Sequence, residues 1–217
     1  MRLIDTHSHL FLEEFSEDFP QVIERARAAG VTHIFMPNID STTIEAMLSA
    51  CSVYKGYCFP MIGLHPTSVN DNYEKELEIV ARELKFSKEY VAIGEIGMDL
   101  YWDKTYLKEQ QIVLDKQVNW ALEYDLPIVI HCRDAFDYIY KVLEPYKKTP
   151  LRGIFHSFTG TAEEATRVLE FSDFFIGING VVTFKKSHLP EILAGIPLEK
   201  IVLETDSPYL TPVPNRG

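Results

Sequence analysis

The sequence predicts an α/β fold, a (β/α)8 TIM barrel, and two features of the chain support this. Apolar runs of strand length recur along the 217 residues, and helical stretches separate them in strict alternation. Strand–helix alternation is typical of parallel sheets joined by right-handed crossovers. Eight such strands in one chain favour a closed barrel, since a doubly wound open sheet would keep the first and last strands apart.

The predicted elements follow from periodicity and from turn and cap residues. Eight runs read as strands: Leu3–Thr6, His33–Pro37, Cys58–Leu64, Val91–Glu95, Ile128–His131, Gly153–His156, Phe174–Ile178 and Ile201–Glu204. The helices predicted between them are 20–30, 41–54, 73–86, 107–124, 134–146, 161–171 and 187–194. Ser41 and Thr161 are predicted N-caps, and Gly30 is a predicted C-cap.

The end of the chain departs from a complete barrel. No helical stretch follows the last predicted strand, so the barrel is expected to lack its last helix. Either the sequence is truncated or the protein does without this helix. In both cases we expect apolar surface on the first and last strands to be uncovered.

Composition and segment lengths predict one domain that spans residues 1–217. Hydrophobic residues make up 46% and charged residues 24% of the chain, which is ordinary for a globular protein. No apolar run approaches the roughly 18 residues that crossing a bilayer needs, and no signal peptide precedes the first strand. The cysteines Cys51, Cys58 and Cys132 form no C-x-x-C pair. We therefore expect a cytoplasmic protein with reduced thiols and no membrane association.

The charge balance limits how this protein can bind polyanions. Its formal net charge of −11 argues against broad electrostatic capture of nucleic acid. A polyanionic substrate is still compatible with that charge if bound metal ions meet its phosphates locally. Binding should then involve few phosphate contacts and should weaken only gently with salt.

Histidines and carboxylates gather where the predicted strands end. Six residues of metal-ligand type fall at these positions: His7, His9, Glu95, His131, His156 and Asp206. In a closed parallel barrel the C-terminal ends of all strands meet at one rim, where active sites of this fold lie. The sequence therefore predicts a hydrolytic metal site at that rim.

The spacing of the histidines predicts two ions rather than one. His7 and His9 alternate along an extended segment, so they face the same side and suit one ion. His131 and His156 lie on consecutive predicted strands and together suggest a second ion, although either one alone would more often be a buried structural histidine. Glu95 has two carboxylate oxygens and is expected to bridge both ions, because burying it without a cation would be costly.

Three further carboxylates have predicted roles beside the ions. Asp206 is the candidate ligand or general base, against the alternative of a carboxylate in a Ser-Pro turn. Glu204 precedes it by two residues and is expected to orient a ligand through a hydrogen bond. Asp5 shares a face with His7 and is assigned the same role, with a simple buried, hydrogen-bonded carboxylate as the alternative.

Residues near the rim are candidates for substrate contact. Arg133 suits bidentate binding of a phosphodiester oxygen pair, and the alternative is an ion pair with Asp134 or Asp137. Tyr101 and Trp102 are equally compatible with stacking on a base or sugar and with ordinary packing. The lysine pair that follows the seventh strand, Lys185 and Lys186, is more typical of a solvated surface than of a DNA contact.

Six ordered motifs along the whole chain resemble the TatD family of metal-dependent deoxyribonucleases. They are D-T-H-S-H at 5–9, I-G-L-H-P at 62–66, I-G-E-I-G-M-D at 93–99, I-H-C-R at 130–133, H-S-F-T-G at 156–160 and E-T-D-S-P-Y-L at 204–210. The resemblance implies a two-metal hydrolase that acts on DNA. It also implies that His7 and His9 hold one ion with Asp206.

For the second ion, the resemblance implies His131 and His156 as ligands, with Glu95 between the two ions. It makes His65 a substrate contact, for example to phosphate, and the alternative is a plain loop histidine. A nitrogen-rich ligand set favours zinc, manganese, iron or cobalt, and magnesium stays possible because availability also decides the metal.

The predicted function is a metal-dependent hydrolase that cleaves phosphodiester bonds of DNA, as an exonuclease, with a water activated by two metal ions. The predicted partner is a DNA substrate, with no obligate protein partner evident. An amidase, a lactonase or an aminoacyl-tRNA deacylase on the same scaffold is the first alternative, because fold does not fix function. A non-catalytic metal-binding protein is the second, and it would not need both an open metal position and a base.

Overall fold

The computed structural model describes residues 2–216 and has the predicted alternation of strands and helices. The strands are β1 Leu3–Asp5, β2 Val31–Pro37, β3 Cys58–Met61, β4 Ile93–Asp99, β5 Ile128–Arg133, β6 Gly153–Phe155, β7 Phe174–Ile178 and β8 Ile201–Leu203. The helices are α1 Phe19–Ala28, α2 Ile44–Val53, α3 Tyr73–Phe86, α4 Leu107–Glu123, α5 Phe136–Leu143, α6 Ala162–Val168 and α7 Leu189–Leu193.

All strands are parallel, and they close into a barrel. Hydrogen-bonded ladders form a three-stranded sheet in the order β1-β2-β3 and a five-stranded sheet in the order β4-β5-β6-β7-β8. The two sheets meet on one side through a parallel bridge between Ile62 and Ile93. On the other side Thr6 N–H donates to the Leu203 carbonyl at 3.1 Å. The first and last strands are therefore neighbours, which confirms the closed barrel over the open sheet.

Strand β4 differs from its prediction in a way that matters for the site. It was expected to end at Glu95, but it continues to Asp99, and all seven of its residues are buried. Its pairing with β5 shifts register between Ile93 and Ile96, so Glu95 lies at an irregularity inside the strand. A Cβ on Gly97 would come within 2.0 Å of the His131 carbonyl oxygen, so only glycine permits this approach of β4 to β5.

The predicted caps are confirmed in two of three cases. Thr161 caps α6 in a reciprocal capping box with Glu164, and Gly30 follows α1 with φ of 94°. Ser41 is not a cap, because α2 begins three residues later, at Ile44. The Ser41 hydroxyl instead donates to the Glu76 carboxylate at 2.8 Å and ties the segment before α2 to α3.

The outer surface near β8 is uncovered, as predicted. No helix follows β8 within residues 2–216. Ile4 on β1 and Leu203 on β8 are 46% and 55% exposed, which is high for apolar barrel residues. Among the described helices, none combines the length and apolar character that crossing a bilayer demands.

Candidate metal centre

The six predicted ligands converge at the C-terminal ends of the strands, with the buried Glu95 carboxylate at their centre. Its Oε2 atom lies 3.1 Å from His7 Nε2 and 3.5 Å from His9 Nε2. Both histidines follow the end of β1 rather than lying within it, yet they still turn to the same side. One carboxylate oxygen thus faces the histidine pair from the first strand.

The second oxygen of Glu95 faces a different group of histidines. Its Oε1 atom lies 2.9 Å from His131 Nδ1 and 3.1 Å from His156 Nε2. His65 Nε2 is also close, at 3.3 Å. The sequence placed His65 at the rim as a substrate contact, and the structure puts it within reach of the ligand cluster as well.

Asp206 completes the cluster from β8. Its Oδ1 atom lies 3.7 Å from both His7 Nε2 and His9 Nε2. Its backbone N–H donates to the His7 carbonyl at 2.9 Å, so closure of the barrel is what brings this carboxylate to the histidines. Asp206 has φ of 57°, a left-handed conformation that is costly for a non-glycine residue and is concentrated at functional sites.

The donor set fits divalent cations. Ligand atoms lie within 4.8 Å of one another in three groups: His7, His9 and Glu95; His7, His156 and Asp206; and His65, Glu95 and His131. The Nε2 atoms of His7 and His9 face each other at 3.2 Å in a buried position. Within residues 2–216 their Nδ1 atoms have no hydrogen-bond partner. A cation next to the carboxylates would bind both Nε2 lone pairs, which otherwise face each other across 3.2 Å.

Burial and opposite charges set the protonation of the cluster. Burial acts to raise the pKa of Glu95, but His156, His65 and His7 outweigh it and hold that pKa well below its usual range. Burial acts to lower the pKa of His156, but the carboxylates of Glu95, Glu204 and Asp206 raise it well above its usual range. Glu95 is therefore ionised and available as a ligand.

Asp99 is a member of the site that the sequence interpretation did not assign. Its Oδ2 atom lies 2.9 Å from His131 Nε2, while Nδ1 of the same ring faces Glu95. Tyr101 N–H donates to its other oxygen at 3.1 Å, and the Gln110 side chain bonds both its backbone N–H and its carbonyl. The signal was present in the motif at 93–99, where an aspartate ends a glycine-containing strand, but its partner depends on the register between β4 and β5.

Asp5 and Glu204 lie next to the cluster in different ways. Asp5 accepts hydrogen bonds from Thr205 N–H at 2.9 Å and from the Thr205 hydroxyl at 2.7 Å, and burial raises its pKa to about 6. It therefore holds the β1 and β8 ends together rather than contacting a histidine ring. Glu204 Oε1 lies 3.3 Å from His156 Nδ1 and also accepts from Ser157 N–H.

An open cleft of about 630 Å³ lies above the cluster. Five of the six predicted ligands line it, all except the fully buried His7, together with Arg133 and Trp102. Lys185 and Lys186 are exposed and do not line it. Arg133 stacks on Tyr101, with its guanidinium carbon 3.8 Å from the ring centroid. In the described part of the chain Arg133 does not pair with Asp134 or Asp137, and Asp137 pairs with Arg167 instead.

A parallel α/β barrel with a histidine–carboxylate cluster at the C-terminal ends of its strands defines a metal-dependent hydrolase of the barrel type. The chain belongs to the TatD related DNase family, whose model matches residues 4–217. This confirms the predicted family and the predicted class of enzyme.

Individual relatives agree with this assignment. The chain is 38% identical to the uncharacterized metal-dependent hydrolase YabD of Bacillus subtilis over 99% of its own length and 84% of the relative. It is 32% identical to the 3′-5′ ssDNA/RNA exonuclease TatD of Pantoea ananatis over 97% of its length and 81% of the relative. The crystal structure of the TatD homologue YJJV from Escherichia coli K12 superposes with a TM-score of 0.92, at 31% identity, over 100% of this chain and 83% of that one.

Proposed function

We propose that this protein is a metal-dependent nuclease that cleaves phosphodiester bonds of DNA, as an exonuclease, with two divalent ions. The observation that carries the proposal is the position of Glu95, whose two oxygens face two different histidine groups. A carboxylate in that position suits the bridge of a two-metal centre. The 3′-5′ ssDNA/RNA exonuclease relative supports nucleic acid as the substrate class.

Each ion has its own proposed ligands. His7 and His9 would hold one ion together with Asp206, and His131 and His156 would hold the other. Glu95 lies between the two histidine groups and would be a ligand of both ions. Bound divalent ions supply Lewis acidity, which lowers the pKa of water and offsets charge on phosphoryl oxygens. The nitrogen-rich ligand set favours zinc, manganese, iron or cobalt over magnesium.

The side chains around the ions have proposed roles in the reaction. Asp206 lines the cleft and accepts the proton of the attacking water. The stacked face of Arg133 rests on Tyr101, which leaves the N–H groups at the edge of the guanidinium free to bind phosphate oxygens. His65 lines the same cleft and is proposed to contact the phosphate, with its place beside Glu95 making it a further candidate ligand.

The test is reconstitution of metal-stripped protein with zinc, manganese, cobalt, iron or magnesium ions in turn, on an end-labelled single-stranded oligonucleotide. We expect stepwise shortening from one end only when metal is added. Asp206→Asn should keep most of the metal but lose turnover by about 10²–10⁴-fold, because an amide cannot accept the proton.

Asp173→Asn is the matched control, since this exposed aspartate precedes β7 at the opposite end of the barrel. It should keep both metal content and turnover. Rapid turnover of an amide or lactone substrate by metal-loaded protein that leaves DNA intact would replace the nuclease with the alternative hydrolase. Full DNA cleavage by Asp206→Asn with both ions bound would reject the role of Asp206 as the base.

A further inference from the structure

Two adjacent aromatic side chains stand exposed at the edge of the cleft. Trp102 is 77% exposed and Tyr101 is 50% exposed, and their rings meet edge to face with centroids 4.7 Å apart. Leaving an indole in water forgoes much of the stabilisation that its burial would provide. Single exposed apolar residues are common on protein surfaces, but two neighbouring aromatic rings beside a histidine–carboxylate cluster form an organised feature.

A cation is stacked into the same group. The Arg133 guanidinium carbon lies 3.8 Å from the Tyr101 centroid and 5.5 Å from the Trp102 centroid. Arg133 and Trp102 line the cleft that also contains Glu95 and His131. Aromatic rings combined with arginine are what proteins use to stack the bases of single-stranded nucleic acids.

The backbone holds the aromatic pair and Arg133 in a defined place relative to the histidine–carboxylate cluster. Leu100 N–H donates to the Arg133 carbonyl at 2.9 Å, so the segment after β4 stays joined to the end of β5. Tyr101 N–H donates at 3.1 Å to Asp99, the same carboxylate whose other oxygen contacts His131. Tyr101 thus lies two positions after Asp99, whose carboxylate contacts the proposed metal ligand His131.

From this arrangement we infer that Trp102, supported by Tyr101 and Arg133, is a stacking site for a nucleobase next to the scissile phosphate. The inference rests on the proposed function for its substrate class. Stacking requires an unstacked base, so the occupant is a single-stranded end rather than a duplex interior. Stacking also does not depend on net charge, so it provides affinity that a protein of net charge −11 cannot obtain from a basic groove.

The test compares two tetranucleotides that differ only in their bases. One is (dT)4 and the other is its abasic equivalent, both with phosphorothioate linkages that slow hydrolysis, and binding to metal-loaded protein is measured by fluorescence anisotropy. In the wild type the abasic strand should bind at least about fivefold more weakly, the lower end of what one stacked base contributes. That ratio should stay constant as salt is raised, because both strands carry the same phosphates.

Variants then test whether the difference in affinity between the two strands depends on Trp102. Trp102→Ala should bring the ratio close to one, and Trp102→Phe should keep most of it because an aromatic face remains. Phe86→Ala is the matched control, since Phe86 is equally exposed, at 78%, but ends α3 at the opposite end of the barrel. A wild-type ratio near one, or an unchanged ratio in Trp102→Ala, would overturn the inference.

Cleavage of the same tetramers with ordinary phosphodiester linkages separates this inference from the proposed function. If metal-loaded protein cleaves neither strand while the binding ratio depends on Trp102, the nuclease proposal fails and the base site stands. If it cleaves both strands and the binding ratio is independent of Trp102, the nuclease proposal stands and the base site is refuted.

Discussion

The two halves of the candidate metal centre are built differently around the same glutamate. On the β1 side, His7 and His9 point their Nε2 atoms at each other, and within residues 2–216 their Nδ1 atoms have no partner. On the β5–β6 side, the ring nitrogen of His131 that points away from Glu95 contacts Asp99 at 2.9 Å. His156 has the Glu204 carboxylate at 3.3 Å from its far nitrogen, an ion-pair contact without the geometry of a hydrogen bond.

This difference changes which histidines carry protons when no metal is bound. Burial lowers the pKa of His7, so it stays neutral and ready to bind a cation. Burial also acts to lower the pKa of His131, but the hydrogen bonds to Asp99 and Glu95 outweigh it and raise that pKa. A carboxylate behind an imidazole thus orients the ring and strengthens it as a ligand, but it also makes a proton harder to displace.

Removing the shared carboxylate should have the largest effect, because it damages both halves at once. If the proposed two-metal nuclease is correct, Glu95→Ala should lower DNA hydrolysis by at least about 10³-fold, since each ion would contribute several kcal/mol of transition-state stabilisation. Metal content measured by mass spectrometry should fall for both ions, while circular dichroism should report an intact fold. Full activity in this variant with two ions bound would refute the bridging role.

The barrel and the ligand cluster could be predicted because they depend on strong local signals. Each predicted strand is a short apolar run, and His131 and His156 are the last residues of two of these predicted runs. In the structure β5 continues two residues past His131, and β6 ends just before His156. Parallel topology then brings strand ends together without further information. Thr161 was predictable for the same reason, because a capping box is encoded within four residues.

The rest of the site depends on register and on loop packing, which periodicity does not encode. Glu95 was predicted to end β4, but a register shift against β5 places it inside a longer strand. The same register brings Asp99 opposite Arg133 and next to the His131 ring. The stacking of Arg133 on Tyr101 likewise arises between two segments that are distant in sequence.

Substitution of Asp99 should have a smaller effect than loss of Glu95, and it should affect only the His131 side of the site. Asp99→Ala should lower the metal affinity on the His131 side by about 10–100-fold. This is the usual effect of losing a carboxylate that orients a ligating histidine. Asp99→Asn keeps an acceptor oxygen and should restore part of that affinity. Competition with a chromophoric chelator should show a lower affinity for one ion and an unchanged affinity for the other.

Asp103→Asn is the matched control for this substitution. Asp103 lies in the same segment after β4, is exposed, and accepts its hydrogen bonds from Thr105 rather than from a histidine. It should leave both metal affinities unchanged. An equal loss of affinity for both ions in Asp99→Ala would mean that Asp99 supports the fold of the site in general and not the orientation of His131.

The smallest expected difference between the two halves of the site is in the pH dependence of their metal binding. Carboxylates raise the pKa values of His131 and His156 in the metal-free protein, so an ion on that side must displace protons. Its affinity should therefore fall as the pH falls through these raised values, by up to about tenfold per pH unit for each proton displaced. The pKa of His7 is lowered, so the ion beside it should stay bound to a lower pH. Isothermal titration in buffers of different ionisation enthalpy counts the released protons, and equal release from both halves would contradict the proposed asymmetry.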